Sequence, residues 1–352
     1  MKSAVFQSPS REISQITDSY VIAEIGNNHQ GSVDTCIDMF RAAKHAGADA
    51  VKLQKRDNAS IFTKNAYDAA YHSENAFAET YGAHRDHLEF DKNQYVELFA
   101  AAKEIGITLF CTAFDMNSAD FLEKLDCPMY KVASGDLKSW QLIERLASFG
   151  KPLIISTGGA ELNDVQRVAQ LVMPINPNFC FLQCTAAYPC EPEDMNLSVI
   201  NTFRSEFPNS VVGLSSHDNG IVLPVVAQTL GARVFEKHFT LNRTWKGTDH
   251  SFSLTPEALR KMIRDLQRAR LSIGDGIKRT LPVEQSAIVK MAKKIVAARD
   301  IRAGETLTMN DLAFKSPGDG LFPSQLNEVL GRKALADIHR DEAIELHILD
   351  EG

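Results

Sequence analysis

The stretch VVGLSSHDNGIVLPVVAQTLGARVFEKHFT (residues 211–240) contains two short apolar runs that flank a helix-like segment. Similar runs recur along the chain, and most have a polar or charged residue at or near the carboxyl end. The eight runs are residues 20–26, 50–55, 107–113, 129–134, 152–158, 179–185, 211–217 and 234–240. Their alternation with helix-like segments predicts an α/β fold, a (β/α)8 TIM barrel whose active site lies at the carboxyl ends of the strands.

The barrel is predicted to end near residue 276, so that residues 1–276 form one domain and residues 277–292 a polar linker. Residues 293–352 contain five short strand-like runs, KIVAARDI, ETLT, LAFK, RKALADI and AIELHIL, separated by turns. They predict a second, small, β-rich domain. Residues 56–91 connect the second predicted strand to its helix, and so long a connection on the functional face is typical of a lid or binding segment.

Composition excludes several classes of protein. Of the 352 residues, 44% are hydrophobic and 24% are charged, as in an ordinary globular protein. No apolar stretch approaches the ~20 residues that span a bilayer, and the first residues contain no apolar signal core, which predicts a cytoplasmic protein without membrane contact. A net charge of −7 argues against nucleic-acid binding. Six cysteines without a CxxC pair are expected to be reduced thiols.

Two histidines stand at the ends of the seventh and eighth runs. Residues i and i+2 of a strand share a face, so His217 points the same way as Ser215, and His238 the same way as Glu236. Glu24 on the first strand lies just across the barrel seam from the eighth. Two imidazoles at matching heights, with a carboxylate nearby, predict a divalent metal site, in which Glu236 could instead orient a ligand imidazole.

Two lysines, Lys52 and Lys131, lie on the second and fourth predicted strands, followed along the chain by the hydroxyl residues Ser134, Ser156 and Thr157. Because buried lysines without partners are costly, this group favours a site for phosphate and carboxylate. Two alternatives remain open. Each lysine could pair with an acidic residue inside the barrel, or one could form the Schiff base of an aldolase.

Eight ordered motifs resemble one enzyme family. They are AEIGNNHQG, GADAVKLQK, YKVASGD, STGG, FLQCTAAYP, GLSSH, EKHFT and TWKGTDHSFSL. These motifs are similar to those of the sialic acid synthase family, which condenses phosphoenolpyruvate with a mannosamine-type aldose. The resemblance extends from about residue 20 to the C-terminus, where the small domain resembles the antifreeze-like SAF domain, a β-clip fold.

The resemblance implies a role for individual residues. His217 and His238 would hold Mn²⁺ or Mg²⁺, and Glu24, Lys52 and Lys131 would be catalytic with them. The residues that would hold phosphoenolpyruvate with the lysines are Thr112, Ser134, Ser156 and Ser215. Those that would contact the sugar are Gln54, Asn75, Tyr188 and Asp249. Further substrate-binding residues are expected within or beside the motifs, namely Asp136, Thr157 and Thr185.

Three segments, TYGAHRDHLEF, NPNFCFLQCT and TWKGTDH, resemble the vertebrate-type enzymes that act on 6-phosphorylated sugars. On the predicted lid, His84, Arg85 and His87 lie within four residues, and His84 and Arg85 are expected to bind the sugar phosphate. The expected acceptors are N-acetylmannosamine 6-phosphate and mannose 6-phosphate. The alternative acceptors are unphosphorylated N-acetylmannosamine or the precursor of a related bacterial nonulosonic acid. In a different class, the alternative to an enzyme is a non-catalytic carbohydrate-binding protein.

The chain departs from the bacterial pattern at two positions. Ser316 stands where bacterial members have an arginine that reaches the N-acetyl group across a domain-swapped dimer, and Ala186 stands where they have an asparagine. A plain hexose acceptor therefore becomes possible. The resemblance also implies a domain-swapped homodimer, in which the SAF domain of one chain caps the barrel of its partner.

Overall fold

The structure is a computed structural model that describes residues 4–351. The chain forms two compact units, Met1–Gly274 and Asp275–Gly352. The first described residues form a hairpin that the sequence pattern did not predict, in which β1 (Val5–Gln7) pairs antiparallel with β2 (Glu12–Ser14). Its paired residues Phe6 and Ile13 are fully buried in the core of the first unit. Strands of three residues are too short for an alternating pattern to reveal.

Eight parallel strands form a closed barrel in which the last strand pairs with the first. They are β3 (Tyr20–Gly26), β4 (Ala50–Lys55), β5 (Thr108–Ala113), β6 (Tyr130–Val132), β7 (Leu153–Ser156), β8 (Phe179–Cys184), β9 (Val211–Ser216) and β10 (Val234–His238). Each coincides with one of the eight apolar runs. The predicted TIM barrel is therefore confirmed.

Helices follow the strands in turn and surround the barrel. Those of the first unit are α1 (Val33–Ala46), α2 (Asn58–Ile61), α3 (Lys64–Tyr67), α4 (Tyr81–His87), α5 (Lys92–Ile105), α6 (Met116–Lys124), α7 (Trp140–Ser148), α8 (Leu162–Val172), α9 (Val199–Glu206), α10 (Val222–Thr229) and α11 (Pro256–Ile273). Local sequence sets their ends. Helix α1, for example, begins where the Ser32 side chain accepts a hydrogen bond from the Thr35 amide, and it ends at Gly47, whose φ of 97° favours glycine.

The pairing register brings polar side chains together near the carboxyl end of the barrel. His238 on β10 lies opposite Glu24 on β3, and Glu24 in turn lies opposite Lys52 on β4. Thr112 on β5 lies opposite Lys131 on β6. Because residues opposite each other on adjacent parallel strands point to the same face, all five side chains can reach a common space.

The second unit contains helix α12 (Gln285–Met291) and one antiparallel strand pair, β11 (Lys294–Ala297) with β12 (Leu312–Lys315). Three of the five predicted strands, ETLT, RKALADI and AIELHIL, are wrong as continuous strands. In the part of the chain that the structure describes, they form only isolated bridges, such as Thr306 with Lys333. The chain turns too often for longer ladders, with a left-handed backbone at Gly304, Gly331 and Asp341.

The second unit nevertheless has its own core, which includes Ile295, Ile301, Leu307 and Val329. All six cysteines of the protein are buried free thiols in the first unit. Among residues 4–351, no helix combines the length and the apolar character that crossing a bilayer would require.

Candidate functional site

A cavity of about 430 Å³ lies at the carboxyl ends of the barrel strands. Most of the predicted site residues line it. They are Glu24, Lys52, Gln54, Arg85, Thr112, Lys131, Ser134, Ser156, Tyr188, Ser215, His217, His238 and Asp249. Polar and titratable side chains from all eight strands and their following loops thus converge on one space, as the strand-end pattern predicts for this fold.

The cavity floor contains a buried ion pair. Nζ of Lys52 lies 2.8 Å from Oε2 of Glu24, and it donates a hydrogen bond of 2.6 Å to the Thr112 hydroxyl. A second carboxylate, that of Glu236, lies 3.5 Å from the same ammonium group. Burial disfavours the charge of Lys52, but Glu236 and Glu24 outweigh it and raise the lysine pKa. The ammonium group is therefore kept charged without substrate.

Lys131 lies on the other side of Glu236. Its Nζ donates to the Ser156 hydroxyl at 2.6 Å and lies 3.9 Å from Oε2 of Glu236, an oxygen that is buried and accepts no hydrogen bond from the described residues. Burial lowers the pKa of Lys131, although Glu236 opposes the shift. Burial also opposes ionisation of Glu236, but Lys131 and Lys52 outweigh it and lower the carboxyl pKa. Two ammonium groups thus share one carboxylate beneath the cavity.

The two histidines lie side by side, with ring centroids 5.4 Å apart. Nδ1 of His217 is 3.1 Å from the Thr185 carbonyl, which can only accept, so this nitrogen donates and Nε2 keeps its lone pair. Burial, followed by the charge of His238, lowers the pKa of His217 to about 3, so the ring is neutral. Nδ1 of His238 is buried 3.6 Å from Asp249 and has no hydrogen-bond partner among the described residues.

This pair of imidazoles fits a divalent metal. His217 is neutral with a free Nε2 lone pair, and Nδ1 of His238 has no hydrogen-bond partner within residues 4–351, so each ring has a nitrogen that can ligate a first-row divalent metal such as Mn²⁺. Within residues 4–351, no three His, Cys, Asp or Glu side chains form a metal-ligand group. The protein would therefore supply two imidazoles, leaving other coordination positions for water and substrate.

A hydrogen-bonded chain leads from the cavity floor to its rim. Gln54 donates through Nε2 to Oε1 of Glu24 at 2.7 Å, and its own Oε1 accepts from Arg56 at 2.6 Å. Both ends of the Gln54 amide are therefore fixed. Across the cavity, the Ser134 hydroxyl accepts a 3.0 Å hydrogen bond from the Gly158 amide, and a Cβ at Gly158 would lie 2.8 Å from that oxygen. Only glycine allows this approach.

Three predicted residues near the strand ends lie outside the cavity wall. The hydroxyls of Thr157 and Thr185 donate to the carbonyls of Leu182 and Asp194, both at 2.9 Å. Asp136 lies in a short turn after β6, where burial raises its pKa to about 6. The two threonines thus fix backbone rather than face the cavity.

Two predicted residues of the long connection are also outside the wall. Asn75 accepts a 2.9 Å hydrogen bond from the Gly247 amide and so links this segment to the loop after β10. His84 is buried. Its Nδ1 accepts from the Phe77 amide at 3.2 Å, and its ring lies 4.7 Å from that of Tyr71. Only Arg85 of the predicted lid pair lines the cavity.

Several cavity residues were missing from the predicted set. They include Asn27, Arg56, Phe114, Cys184 and Thr248. Arg56 and Phe114 follow directly after β4 and β5, so the strand-end rule that identified the other residues would also have found these two. A second cavity, of about 350 Å³, lies at the amino-terminal end of the barrel near Arg11 and Asp49, away from the predicted side chains.

The chain is similar to known proteins over nearly its whole length. The NeuB family model matches residues 39–278, and the SAF domain model matches residues 294–347. The chain is 41% identical over 337 residues to the N-acetylneuraminate-9-phosphate synthase of Mus musculus, covering 96% of this chain and 94% of that protein. It is 32% identical to the N,N'-diacetyllegionaminic acid synthase of Campylobacter jejuni, covering 92% and 98% of the two chains.

A solved structure is also similar. The N-acetylneuraminic acid (sialic acid) synthetase of Leptospira borgpetersenii, in complex with citrate, superposes with a TM-score of 0.72 at 28% identity, covering 81% of this chain and 95% of that chain. A truncated 3-deoxy-D-arabino-heptulosonate 7-phosphate synthase of Thermotoga maritima, at 12% identity and a TM-score of 0.60, shares the fold. The family model spans more than half of the sequence, and the chain belongs to the NeuB family with a C-terminal SAF domain.

Proposed function

We propose that the protein condenses phosphoenolpyruvate with a 6-phosphorylated mannosamine- or mannose-type aldose, yielding a nonulosonic acid 9-phosphate and inorganic phosphate. Its membership of the NeuB family makes it an enzyme, a phosphoenolpyruvate-dependent transferase. The observation that supports the proposal most is the convergence of two buried lysines and two imidazoles on one cavity. The lysine pair suits an anionic substrate, and the imidazole pair suits a metal that would polarise an aldehyde.

The two lysines are proposed to hold phosphoenolpyruvate through its phosphate and carboxylate. Lys52 and Lys131 lie 3.5 and 3.9 Å from the Glu236 carboxylate, so both ammonium groups are held in place before phosphoenolpyruvate binds. Ser134 and Ser156 add hydroxyl groups beside them. Both lysines pair with carboxylates inside the barrel, as the simple alternative expected, and both also line the cavity, where substrate can reach them.

A divalent metal, Mn²⁺ or Mg²⁺, is proposed to bind His217 and His238. When bound, it would act as a Lewis acid that polarises the aldehyde of the open-chain sugar. The protein prepares this site by keeping His217 neutral and by directing its Nδ1 toward the Thr185 carbonyl. Tyr188 packs against the His217 ring with centroids 4.0 Å apart and so restricts its orientation.

The proposed reaction forms a C–C bond and a C–O bond from water to carbon 2, and it breaks the C–O bond between carbon 2 and the phosphate. Carbon 3 of phosphoenolpyruvate attacks the aldehyde carbon, and the aldehyde oxygen gains a proton. Water then adds to the oxocarbenium carbon 2 and loses a proton. The hydroxyl group formed on carbon 2 gives up its own proton as the bond from carbon 2 to the phosphate oxygen breaks, which leaves the keto group and inorganic phosphate. Glu24, fixed by Lys52 and Gln54, is proposed as the base that accepts the proton of this water.

The acceptor is proposed to be phosphorylated because Arg85 lines the cavity and because N-acetylneuraminate-9-phosphate synthases are 40–41% identical to the chain. N-acetylmannosamine 6-phosphate and mannose 6-phosphate are the proposed substrates, with unphosphorylated N-acetylmannosamine as the alternative. Ala186 lines the cavity without an amide that could meet an N-acetyl group. The proposed compartment is the cytoplasm, where six free thiols remain reduced.

A phosphate-release assay tests this proposal. Purified protein with Mn²⁺ and phosphoenolpyruvate is given free or 6-phosphorylated N-acetylmannosamine or mannose, and the product mass is measured. Release of phosphate with a nine-carbon 2-keto-3-deoxy acid phosphate is expected from a 6-phosphorylated sugar. Release from the free sugars alone would favour the alternative acceptor, and no release with any sugar would contradict the proposed reaction.

A further inference from the structure

Arg56 lies at the rim of the catalytic cavity and is only 7% exposed. Its guanidinium lies over the Phe114 ring, 3.8 Å from the centroid, and its Nη2 donates to Gln54. Its Nη1 is buried and forms no hydrogen bond within residues 4–351. A buried donor on a cation without a partner is costly, so its persistence needs an explanation.

The nearest carboxylate leaves Nη1 of this guanidinium without a hydrogen bond. Oε1 of Glu89 lies 3.9 Å from Nη1 of Arg56, beyond hydrogen-bond distance. Its other oxygen, Oε2, accepts from Lys55 at 2.9 Å and from the Arg56 backbone amide at 3.2 Å. Glu24, the carboxylate further into the cavity, forms an ion pair with Lys52 and accepts a hydrogen bond from Gln54.

A second guanidinium faces the same cavity. Arg85 donates through Nε to the Tyr81 hydroxyl at 3.2 Å, and neither of its Nη atoms has an ion-pair or hydrogen-bond partner in residues 4–351. Burial, followed by the charge of Arg85, lowers the pKa of Arg56 to about 10. Two guanidinium groups that line one cavity form a site that a multivalent anion would complete.

We infer that Arg56 and Arg85 form a paired-guanidinium subsite for a phosphate monoester, and that this subsite binds the phosphate of the acceptor sugar. The planar fork of each guanidinium matches two phosphate oxygens. Phosphoenolpyruvate is the other possible source of a phosphate monoester. The lysine pair on the cavity floor already provides for it, whereas Arg56 is linked to that floor only through Gln54 and Glu24.

This inference extends the proposed function, and its first test is kinetic. Michaelis constants for mannose 6-phosphate, mannose and phosphoenolpyruvate are measured for the wild type, Arg56→Met and Arg85→Met. Methionine keeps the apolar contact with Phe114 and removes the charge. Each variant is expected to raise the constant for mannose 6-phosphate by about ten- to a hundredfold, and to leave the other two nearly unchanged. Arg167→Met, which removes an exposed guanidinium from α8, is the control.

The selectivity of the effect decides the outcome. Arg56→Lys keeps the charge but not the fork, and it should recover only part of the affinity for mannose 6-phosphate. An increase that affects mannose and mannose 6-phosphate alike would make Arg56 a purely structural residue and overturn the subsite. An increase confined to phosphoenolpyruvate would assign the arginines to the other substrate and would equally overturn it.

A binding measurement separates this inference from the proposed reaction. Calorimetric titration with mannose 6-phosphate alone, and with phosphoenolpyruvate alone, needs no turnover. At least tenfold weaker binding of mannose 6-phosphate to Arg56→Met, with unchanged binding of phosphoenolpyruvate, supports the subsite even if no product is formed. Equal binding of mannose 6-phosphate to the wild type and to both arginine variants would exclude the subsite even if condensation is observed.

Discussion

Lys52 and Glu24 face each other from adjacent strands at 2.8 Å, with side chains that are 3% and 1% exposed. A buried ion pair adds little net stability, because desolvation offsets most of the attraction, but loss of one partner leaves the other charge buried alone. This pair also lines the cavity, so it holds an ammonium group in place for substrate. The same ammonium and carboxylate groups therefore carry a desolvation cost in folding and take part in substrate binding.

Glu24→Gln should lower both the free energy of unfolding and the turnover rate. The free energy of unfolding is expected to fall by about 3 kcal/mol, at the lower end for a broken buried pair, because Glu236 still lies 3.5 Å from Lys52. Turnover should fall by at least about a hundredfold if Glu24 is the base. Urea unfolding and phosphate release measure the two effects. Glu104→Gln, at an exposed position of α5, is the control, and equal stability of the two variants would contradict the expectation.

His217→Ala should remove metal and activity together. Turnover is expected to fall by at least about a hundredfold, and Mn²⁺ affinity, measured by calorimetry on the unreacted protein, should fall in parallel. His45→Ala, which changes an exposed histidine at the end of α1, should leave both unchanged. Normal phosphate release by His217→Ala, or by the chelated wild type, would show that the metal assignment is wrong.

The barrel could be predicted from sequence because each strand is an apolar run of its own, and strand-end residues such as His217 and Lys131 follow from that assignment. The rule that polar residues at strand ends line the site does not predict which side chains of a long connection face the cavity. Adjacent residues of α4 point in different directions, so Arg85 lines the cavity while His84 packs against Tyr71. Which side of so short a helix faces the cavity depends on tertiary contacts that no local pattern contains.

Residue type was also ambiguous at the strand ends. Hydroxyl groups bind substrates, but they equally bind exposed backbone carbonyls where a strand becomes a loop. Ser156 faces the cavity, whereas Thr157, one residue later, donates to the Leu182 carbonyl. In the second unit, Thr306 and Lys333 have strand-like sequences around them but form a single bridge, since frequent turns limit pairing.

Borohydride treatment should not label Lys131 or Lys52. An imine needs a neutral amine, and burial does lower the pKa of Lys131. However, Nζ of Lys131 donates to Ser156 and to the Val132 carbonyl at 3.0 Å, which favours the ammonium form. Peptide mass mapping after reduction with phosphoenolpyruvate and sugar present is the measurement, with Lys131→Met as the control. A label on Lys131 that the variant lacks would support an imine-forming aldolase instead.

The SAF domain is expected to complete the active site of a partner chain. Full-length His217→Ala is mixed with a chain that lacks residues 293–352 and has an intact barrel. If the domains are exchanged in a dimer, the hybrid should recover part of the wild-type activity, measured by phosphate release. Light scattering on the wild type checks the assembly, and a fully active species of monomeric mass would contradict this arrangement.

Asp136 should make the protein less stable as pH rises from about 4 to about 6. Burial raises its pKa to about 6, despite an opposing hydrogen bond from the Ser139 hydroxyl, whereas an unfolded Asp titrates near 3.9. In this window the native state holds more protons than the unfolded state, so the free energy of unfolding declines with pH. Asp136→Asn should remove this decline, which partial exposure limits to about 1–2 kcal/mol.

Urea unfolding of the wild type and Asp136→Asn at pH 4, 5, 6 and 7 measures the difference between the two curves. Asp126→Asn is the control. A hydrogen bond from Lys151 lowers the pKa of that exposed carboxyl, so its contribution to the free energy of unfolding is lost only below about pH 4, and between pH 4 and 7 this variant should give a curve parallel to that of the wild type. Parallel curves for wild type and Asp136→Asn across the whole range would show that the Asp136 carboxyl titrates normally. Solvent would then reach this carboxyl in the turn after β6.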